Sequence, residues 1–308
     1  MPELPEVETI RRHLETRMLG RRVTDVPHLD ARMVKLGETD GPTLKHRLTG
    51  QSLIAMDRRG KYLLLGWQEG GWLVIHLGMS GRLTMQAPDE VLRPHTHLVV
   101  AFGDMDLRLS DPRRFGRIGW LDHRASLDRR LGQEPLDRRF TGAYLYGRLV
   151  ARRAPIKALL LDQAVVAGLG NIYADEALFL SQIHPRTAAE TLSRDDMGRL
   201  VRNIRRVLRN GIQHRGTTFS DYVDALGRQG EHQAHLNVYG RAGKPCPRCG
   251  APVATEVVQG RTSHFCPQCQ PESSRPVERQ TREIRGDTVK HAEDQLDGGQ
   301  SERGQRSR

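Results

Sequence analysis

The chain opens Met1-Pro2-Glu3-Leu4-Pro5-Glu6-Val7-Glu8, and its second residue is a candidate nucleophile. A small residue after Met1 favours removal of the initiator methionine, which would leave Pro2 with a free secondary amine. An α-amino group has an unperturbed pKa of about 7.7–8, against about 10.4 for lysine, so a sizeable fraction is neutral at physiological pH without burial. Such an amine attacks carbonyl-like carbon by Schiff-base chemistry. Glu3, next in sequence, could supply or remove protons, and Glu6 is near enough to support the pair. The same residues also have an ordinary reading, because Pro5 at a helix start and glutamates in a first turn are common at helix N-termini. The string by itself leaves both readings open.

The second chemical feature is a cysteine module. The chain has 4 cysteines, grouped as Cys246-Pro-Arg-Cys249 and Cys266-Pro-Gln-Cys269. This C-x2-C-x16-C-x2-C spacing is a zinc-site pattern. Four thiolates complete a tetrahedral Zn²⁺ and leave no open position, so one structural zinc is expected, not a catalytic one. Two disulfides would require an oxidising compartment, and nothing marks the chain for export. A redox C-x-x-C pair is disfavoured because there are two pairs and no thioredoxin-like βαβ pattern around them. Between the pairs stands Gln259-Gly260-Arg261-Thr262-Ser263-His264. A turn there would present the Arg261 guanidinium to an anion, although a solvated turn arginine fits equally well.

These groups need elements to position them. Residues 6–18 read as a helix, with Val7, Ile10 and Leu14 on one face. Segments 52–56, 61–67, 72–77, 96–102, 106–110 and 117–121 are short, apolar or alternating, and broken by Gly, Pro and Asp, as in an antiparallel sandwich or barrel. Trp67, Trp72 and Trp120 all fall in these segments and are expected in the core. The charged stretch 124–140 reads as a linker. Beyond it the pattern is helical. Ser193-x-x-Asp196 resembles a capping box ahead of the apolar face Met197, Leu200, Val201, Ile204, Val207 and Leu208, with Arg199, Arg202, Arg205, Arg206 and Arg209 filling much of the rest.

The fold class is therefore α+β and multidomain. The expected divisions are 1–132 (helix plus β-sandwich), 133–235 (helical), 236–270 (zinc hairpin) and 271–308. The last is poor in apolar residues and is expected to be a disordered tail.

Charge bounds the partners. Across 308 residues there are 48 Lys+Arg and 37 Asp+Glu, a formal net charge of +11. The tail 271–308 carries 8 basic and 8 acidic side chains, so the whole surplus lies in residues 1–270. A surplus of that size points to a polyanion, nucleic acid before acidic membrane. Mean hydropathy is −0.58 and the apolar runs are far short of a span, which excludes a helical membrane protein. With no basic-then-apolar leader at the N-terminus, a cytoplasmic location is expected, nucleoid-associated in a bacterium.

Several blocks together are specific. Pro2-Glu3-Leu4-Pro5-Glu6-Val7-Glu8-Thr9 resembles the start of the formamidopyrimidine-DNA glycosylases. Further blocks follow in that family's order: Arg58-Arg59-Gly60-Lys61-Tyr62-Leu63-Leu64, His76-Leu77-Gly78-Met79-Ser80-Gly81 and Asp111-Pro112-Arg113-Arg114-Phe115-Gly116. Next come Gly168-Leu169-Gly170-Asn171-Ile172-Tyr173-Ala174-Asp175-Glu176, His184-Pro185, Val238-Tyr239-Gly240-Arg241 and the cysteine module. The resemblance spans residues 2–270.

The resemblance implies a helix-led β-sandwich, a helix–two-turn–helix domain and a zinc hairpin. It also implies a monomer that excises 8-oxoguanine and formamidopyrimidines from duplex DNA, then cleaves the abasic site. The target base leaves the stack. Pro2 attacks C1′, Glu3 opens the sugar and shuttles protons, and no redox or organic cofactor is needed. Lys61 and Arg261 are carried over as phosphate-binding members of the catalytic set. His76, His97 and Asn171 are assigned to DNA binding, and Lys157 to the neighbourhood of the lesion. Met79, Arg113 and Phe115 match the trio that fills the hole left by the extruded base. The ordinary alternatives are a strand lysine for Lys61, a helix N-cap for Asn171, a core histidine for His76, core positions for Met79 and Phe115, and helix capping for Glu6. Segment 216–234 matches a loop over the flipped base. It carries Glu231-His232 where members often have an aromatic, which bears on base preference.

Three other functions compete. A relative of endonuclease VIII would prefer oxidised pyrimidines with the same Pro2/Glu3 chemistry. A non-catalytic damaged-DNA-binding zinc protein would keep the zinc, the basic surface and Asn171 but lose Pro2 or Glu3, and both are present. A zinc-ribbon transcription factor has no use for a free N-terminal proline.

Overall fold

A computed structural model describes residues 1–37 and 39–272; most of the expected tail, residues 273–308, lies outside them. Helix α1 (Leu4–Met18) leads. Then come β1 (Asp25–Leu29), β2 (Val34–Leu36), α2 (Gly41–Leu48), β3 (Leu53–Arg59), β4 (Tyr62–Trp67), β5 (Trp72–His76), β6 (Arg82–Gln86), β7 (Thr96–Ala101), β8 (Asp106–Ser110) and β9 (Arg117–Leu121). The strands form a five-stranded sheet in the order β2-β9-β5-β4-β3 and a four-stranded sheet in the order β1-β7-β8-β6. All pairings are antiparallel except β2 with β9. Inward residues of both sheets, among them Leu63, Leu73, Ile75, Leu83, Val100 and Leu109, share one core with Val7, Ile10, Leu14 and Met18 of α1. Trp67 and Trp120 belong to that core, but Trp72 does not. It is half-buried, with its ring laid over Gly66, where a Cβ would come 2.9 Å from the indole.

The expected linker 124–140 is more structured than its charge suggests. A short α3 (Ala125–Asp128) interrupts it. Arg59 ties it down, with its guanidinium on the Asp128 and Glu134 carboxylates and the Leu131 and Gly132 carbonyls. The helical half follows as α4 (Gly142–Leu149), α5 (Ile156–Leu161), α6 (Asn171–Ser181) and α7 (Arg194–Gln213). Ser193 and Asp196 form the expected capping box: Ser193 Oγ accepts from the Asp196 N–H at 3.1 Å, and Asp196 accepts from the Ser193 N–H at 3.0 Å. The apolar face of α7 packs into a second core that also takes in Leu4. Helix α1 thus has its first apolar residue in one core and the rest in the other, which fixes its N-terminus at the seam between them. Strands β10 (Ala254–Val258) and β11 (Arg261–Phe265) close a hairpin beside α6. Among the described residues, no helix is long and apolar enough to cross a membrane.

Candidate active site

Three backbone segments meet at close range. The Leu4 N–H donates to the Gly168 carbonyl at 3.1 Å. Gly60, in the β3–β4 turn, and Gly168 both have positive φ and face each other. A Cβ on Gly168 would lie 2.9 Å from Leu4 Cβ and 3.2 Å from Gly60 Cα. A Cβ on Gly170 would lie 2.3 Å from Glu3 Cδ. The Glu3 carboxyl therefore rests on bare backbone. This close approach brings the chain start, Lys61 and Asn171 around one pocket of about 420 Å³, lined also by His76, Met79, Tyr239 and Arg261. A larger hollow of about 630 Å³ lies beside α3 under Arg124, Arg129 and Arg130 and holds none of the expected reacting groups.

Glu3 is 3 % exposed, its Oε1 accepting from the Ile172 N–H at 3.0 Å and its Oε2 without a partner. Burial pushes its carboxyl up to about 7, against the opposing pull of Lys61 and with a further push from Glu6. A carboxyl held there can both take and give a proton near neutrality. Lys61 is also buried, and burial lowers its pKa while Glu3 and Glu6 hold it up. Burial, followed by the charges of Lys61 and Arg117, pushes His76 down to about 4. His76 Nδ1 accepts from the Gly78 N–H at 3.1 Å, which leaves Nε2 as the protonated, donating nitrogen. Glu6 does not reach the pocket. Its Oε1 accepts from Tyr173 OH (2.7 Å) and the Thr217 N–H (2.8 Å), and its Oε2 from the Glu3 N–H (2.8 Å). It ties the chain start to α6 and to the segment after α7.

Met79 and Phe115 are 40 % and 47 % exposed, so neither is a core residue. Their loops are locked together. Asp111, fully buried, accepts from Ser80 Oγ (2.5 Å), the Arg113 N–H (3.2 Å) and the Gly116 N–H (2.7 Å). Arg113 lies 4.7 Å over the Phe115 ring, so cation and ring are presented as one wedge. The Ser80–Asp111 lock joins positions 31 apart and carries no local sequence signal. His97 is buried beneath this loop. It is 3 % exposed, between the Asp30 carboxylate (3.1 Å) and the Asp111 carbonyl oxygen (2.9 Å), and it braces this loop from behind.

Lys157 is buried too. It has no exposed surface; its ammonium lies 2.6 Å from the Asp175 carboxylate and donates to Thr262 O (3.0 Å) and Ser263 Oγ (2.8 Å). The lysine welds α5, α6 and β11 together. Asn171 is the first residue of α6 and not its N-cap, which is Gly170. Its Nδ2 donates to Thr262 O at 2.9 Å. Asp175, one turn on, accepts from the His264 N–H at 2.9 Å. The next acid, Glu176, accepts from the backbone N–H groups of Asn237, Val238 and Tyr239 and places Tyr239 on the pocket. The sequence signal for both anchors was two adjacent acids inside an otherwise apolar helix. Arg261 follows a two-residue turn in which Gln259 and Gly260 both have positive φ, the geometry that matches strand twist in a tight hairpin. Docking of β11 on α6 brings that exposed arginine over the pocket that holds Lys61.

The four cysteine Sγ atoms lie within 4.8 Å of one another, and no disulfide joins them. The Cys249–Cys266 and Cys246–Cys269 separations are 3.4 and 3.9 Å. Four sulfurs about 2.3 Å from a central Zn²⁺ would stand about 3.8 Å apart, so the set fits one closed tetrahedral zinc. Backbone N–H groups of Arg248 and Cys269 already point at Cys246 and Cys266 Sγ.

In the segment after α7, His232 is 2 % exposed and stacks on Tyr173, so it does not stand over the pocket. The exposed aromatic there is Phe219, 5.4 Å from the Tyr239 ring. The i-to-i+4 and alternation patterns carried no information on which loop aromatic turns outward.

Three family models tile the chain: the formamidopyrimidine-DNA glycosylase N-terminal domain (residues 1–118), its H2TH domain (131–223) and the zinc finger found in FPG and IleRS (243–271). The formamidopyrimidine-DNA glycosylase of Herpetosiphon aurantiacus is 46 % identical over 274 residues, 88 % of this chain and all of that one. That of Pelotomaculum thermopropionicum is 44 % identical over 276 residues, 88 % of this chain and 99 % of that one. Among solved structures, a complex of Lactococcus lactis Fpg with DNA containing an abasic site has a TM-score of 0.82 at 37 % identity, covering 88 % of this chain and all of that chain. The same enzyme with Fapy-dG DNA gives 0.81 at 36 %, with the same coverage of both chains.

Proposed function

The chain belongs to the formamidopyrimidine-DNA glycosylase family, and from that premise we propose that Pro2, Glu3 and Lys61 are its chemical centre. It is a base-excision repair enzyme, a DNA glycosylase with abasic-site lyase activity, that removes oxidised purines. Its partner is double-stranded DNA, and its zinc is the single structural ion of the hairpin. Zinc would close the 246–269 module and take no part in reaction at the lesion.

The observation that supports this centre is Glu3: a buried carboxyl near pKa 7, on bare backbone, next to the proline that removal of Met1 would make the chain terminus. With Met1 removed, the Pro2 amine attacks C1′ of the extruded nucleotide. The N–C1′ bond forms as the glycosidic bond breaks, and the leaving base takes the electron pair and a proton. Glu3 protonates O4′ as the C1′–O4′ bond opens, which generates an iminium. The iminium acidifies C2′; loss of that proton expels the 3′ phosphate, and a second elimination expels the 5′ phosphate. Lys61, Arg261 and His76 Nε2–H hold phosphates on either side, which positions the nucleotide without reading sequence. Met79 and the Arg113–Phe115 pair occupy the vacated stack. All these groups come from one chain, which supports action as a monomer. The bacterial relatives support a cytoplasmic setting.

Release of free base from duplexes carrying 8-oxoguanine opposite cytosine, or one oxidised pyrimidine, tests this reading. Faster release of the purine is expected. Faster release of the pyrimidine would move the chain to the endonuclease VIII-like reading. Binding without release from either would make it a damaged-DNA binder.

A further inference from the structure

The reaction above leaves one buried cluster unused. Tyr173, with no exposed surface, is gripped on two sides. Gly211 abuts its ring edge so closely that a Cβ there would lie 2.6 Å from the phenol. The His232 imidazole lies on its face at 5.6 Å and 16°. His232 is itself backed by His214, at the end of α7 (5.8 Å, 25°), and by His235 (6.1 Å, 20°); these two stack on each other at 3.7 Å. The other charges nearby are the Arg215–Glu231 ion pair and, beyond the Tyr173 hydroxyl, Glu6.

That hydroxyl donates to Glu6 Oε1 at 2.7 Å, and Glu6 Oε2 accepts from the Glu3 N–H at 2.8 Å. The Glu3 N–H belongs to the peptide unit whose carbonyl is that of Pro2. Whatever fixes Glu6 therefore fixes the plane of the Pro2–Glu3 peptide, and with it the direction of the Pro2 ring. We propose that His232 is a positioning residue for base excision, which, stacked on Tyr173, holds the tyrosine hydroxyl on Glu6 and so aims the Pro2 amine. This inference rests on the reading of Pro2 and Glu3 as the reacting pair.

Two further features fit a role for the ring rather than for its polarity. His232 Nδ1 is buried without a hydrogen-bond partner, so that nitrogen does not hold the ring in place. Burial, then His214 and His235, push its pKa down to about 4, so it works as a neutral flat ring. A phenyl ring would serve the same stack.

The test is single-turnover release of 8-oxoguanine alongside affinity for a duplex carrying a tetrahydrofuran abasic analogue. His232→Ala should slow release by about 10- to 100-fold, the scale of a small misplacement of a reacting group. Affinity should stay within about threefold of wild type, because the binding residues are untouched. His232→Phe should restore the rate. Tyr173→Phe keeps the stack, removes only the hydroxyl and should be slowed as His232→Ala is. Wild-type release by His232→Ala, a loss of affinity as large as the loss of rate, or no rescue by His232→Phe would overturn the proposal. If His232→Ala fails to fold, Tyr173→Phe decides: wild-type release would overturn the proposal and slowed release would uphold it. A wild-type protein that releases no base would instead refute the functional reading beneath it.

Discussion

Replacing Glu3 by Gln should abolish excision and, above neutrality, make the protein more stable. Glu3 is buried with one oxygen unpartnered, and its carboxyl sits at about 7 in place of 4.5. The folded chain therefore binds this proton more tightly than the unfolded chain does. The resulting stabilisation is complete below about pH 4.5 and is lost as pH rises through about 7. A gap of about 2.5 between the two values, at about 1.36 kcal/mol each, amounts to roughly 3 kcal/mol withheld from the native state at pH 8. Gln cannot ionise, and its carbonyl can accept from the Ile172 N–H as Glu3 Oε1 does. It also strips Lys61 of an opposing charge, which offsets part of the gain. The net expectation is a stabilisation of about 1–2 kcal/mol at pH 8, or a rise in Tm of about 2–8 °C, and close to none at pH 5. Thermal unfolding of both proteins at the two pH values measures it. A Glu3→Gln protein no more stable than wild type at pH 8, or equally stabilised at both, would refute the argument that burial holds this carboxyl protonated.

Asp111→Ala leaves three donors unpaired, at a cost of about 2–4 kcal/mol, and should free the loop carrying Arg113 and Phe115. The affinity ratio of damaged to undamaged duplex should fall at least about tenfold; an unchanged ratio would mean that the loop does not sense the lesion. Lys157→Met strands the buried Asp175 charge and should cost about 3–5 kcal/mol in unfolding experiments, where a lysine contacting DNA would instead weaken binding with little loss of stability. Cys249→Ser should lose the metal and undock Arg261, which would lower the slope of log affinity against log salt by about one phosphate contact; retained zinc and an unchanged slope would contradict the closed four-sulfur site.

What the sequence disclosed depended on how local each cause is. Strands β8 and β9 lie where alternation puts them, and the α7 capping box follows from two residues three apart. Strand β1 escaped notice because Asp25, Pro27 and His28 break its pattern, and β2 because three residues make no period. Helix α2 offers only Leu44 and Leu48 to a core, too few to register a face. The site divides in the same way. The cysteines announce themselves by type and spacing, whereas Glu3 stands out only beside the later blocks that resemble the family. Lys157 and His97 are charged or titratable residues whose partners, Asp175 and Asp111, are distant in sequence, so their burial became visible only in the fold. Gly60, Gly168 and Gly170 fall within recognisable blocks, yet their reason for being glycine is the approach of three separate segments.

The central claim is that the Pro2 amine forms the covalent bond to DNA. The protein, with Met1 removal confirmed, is incubated under borohydride with duplex DNA carrying one 8-oxoguanine opposite cytosine, and the trapped adduct is located by mass spectrometry. The account predicts a reduced cross-link on Pro2, absent when Met1 is retained. A cross-link on Lys61 or another lysine, or full trapping with Met1 in place, would contradict it.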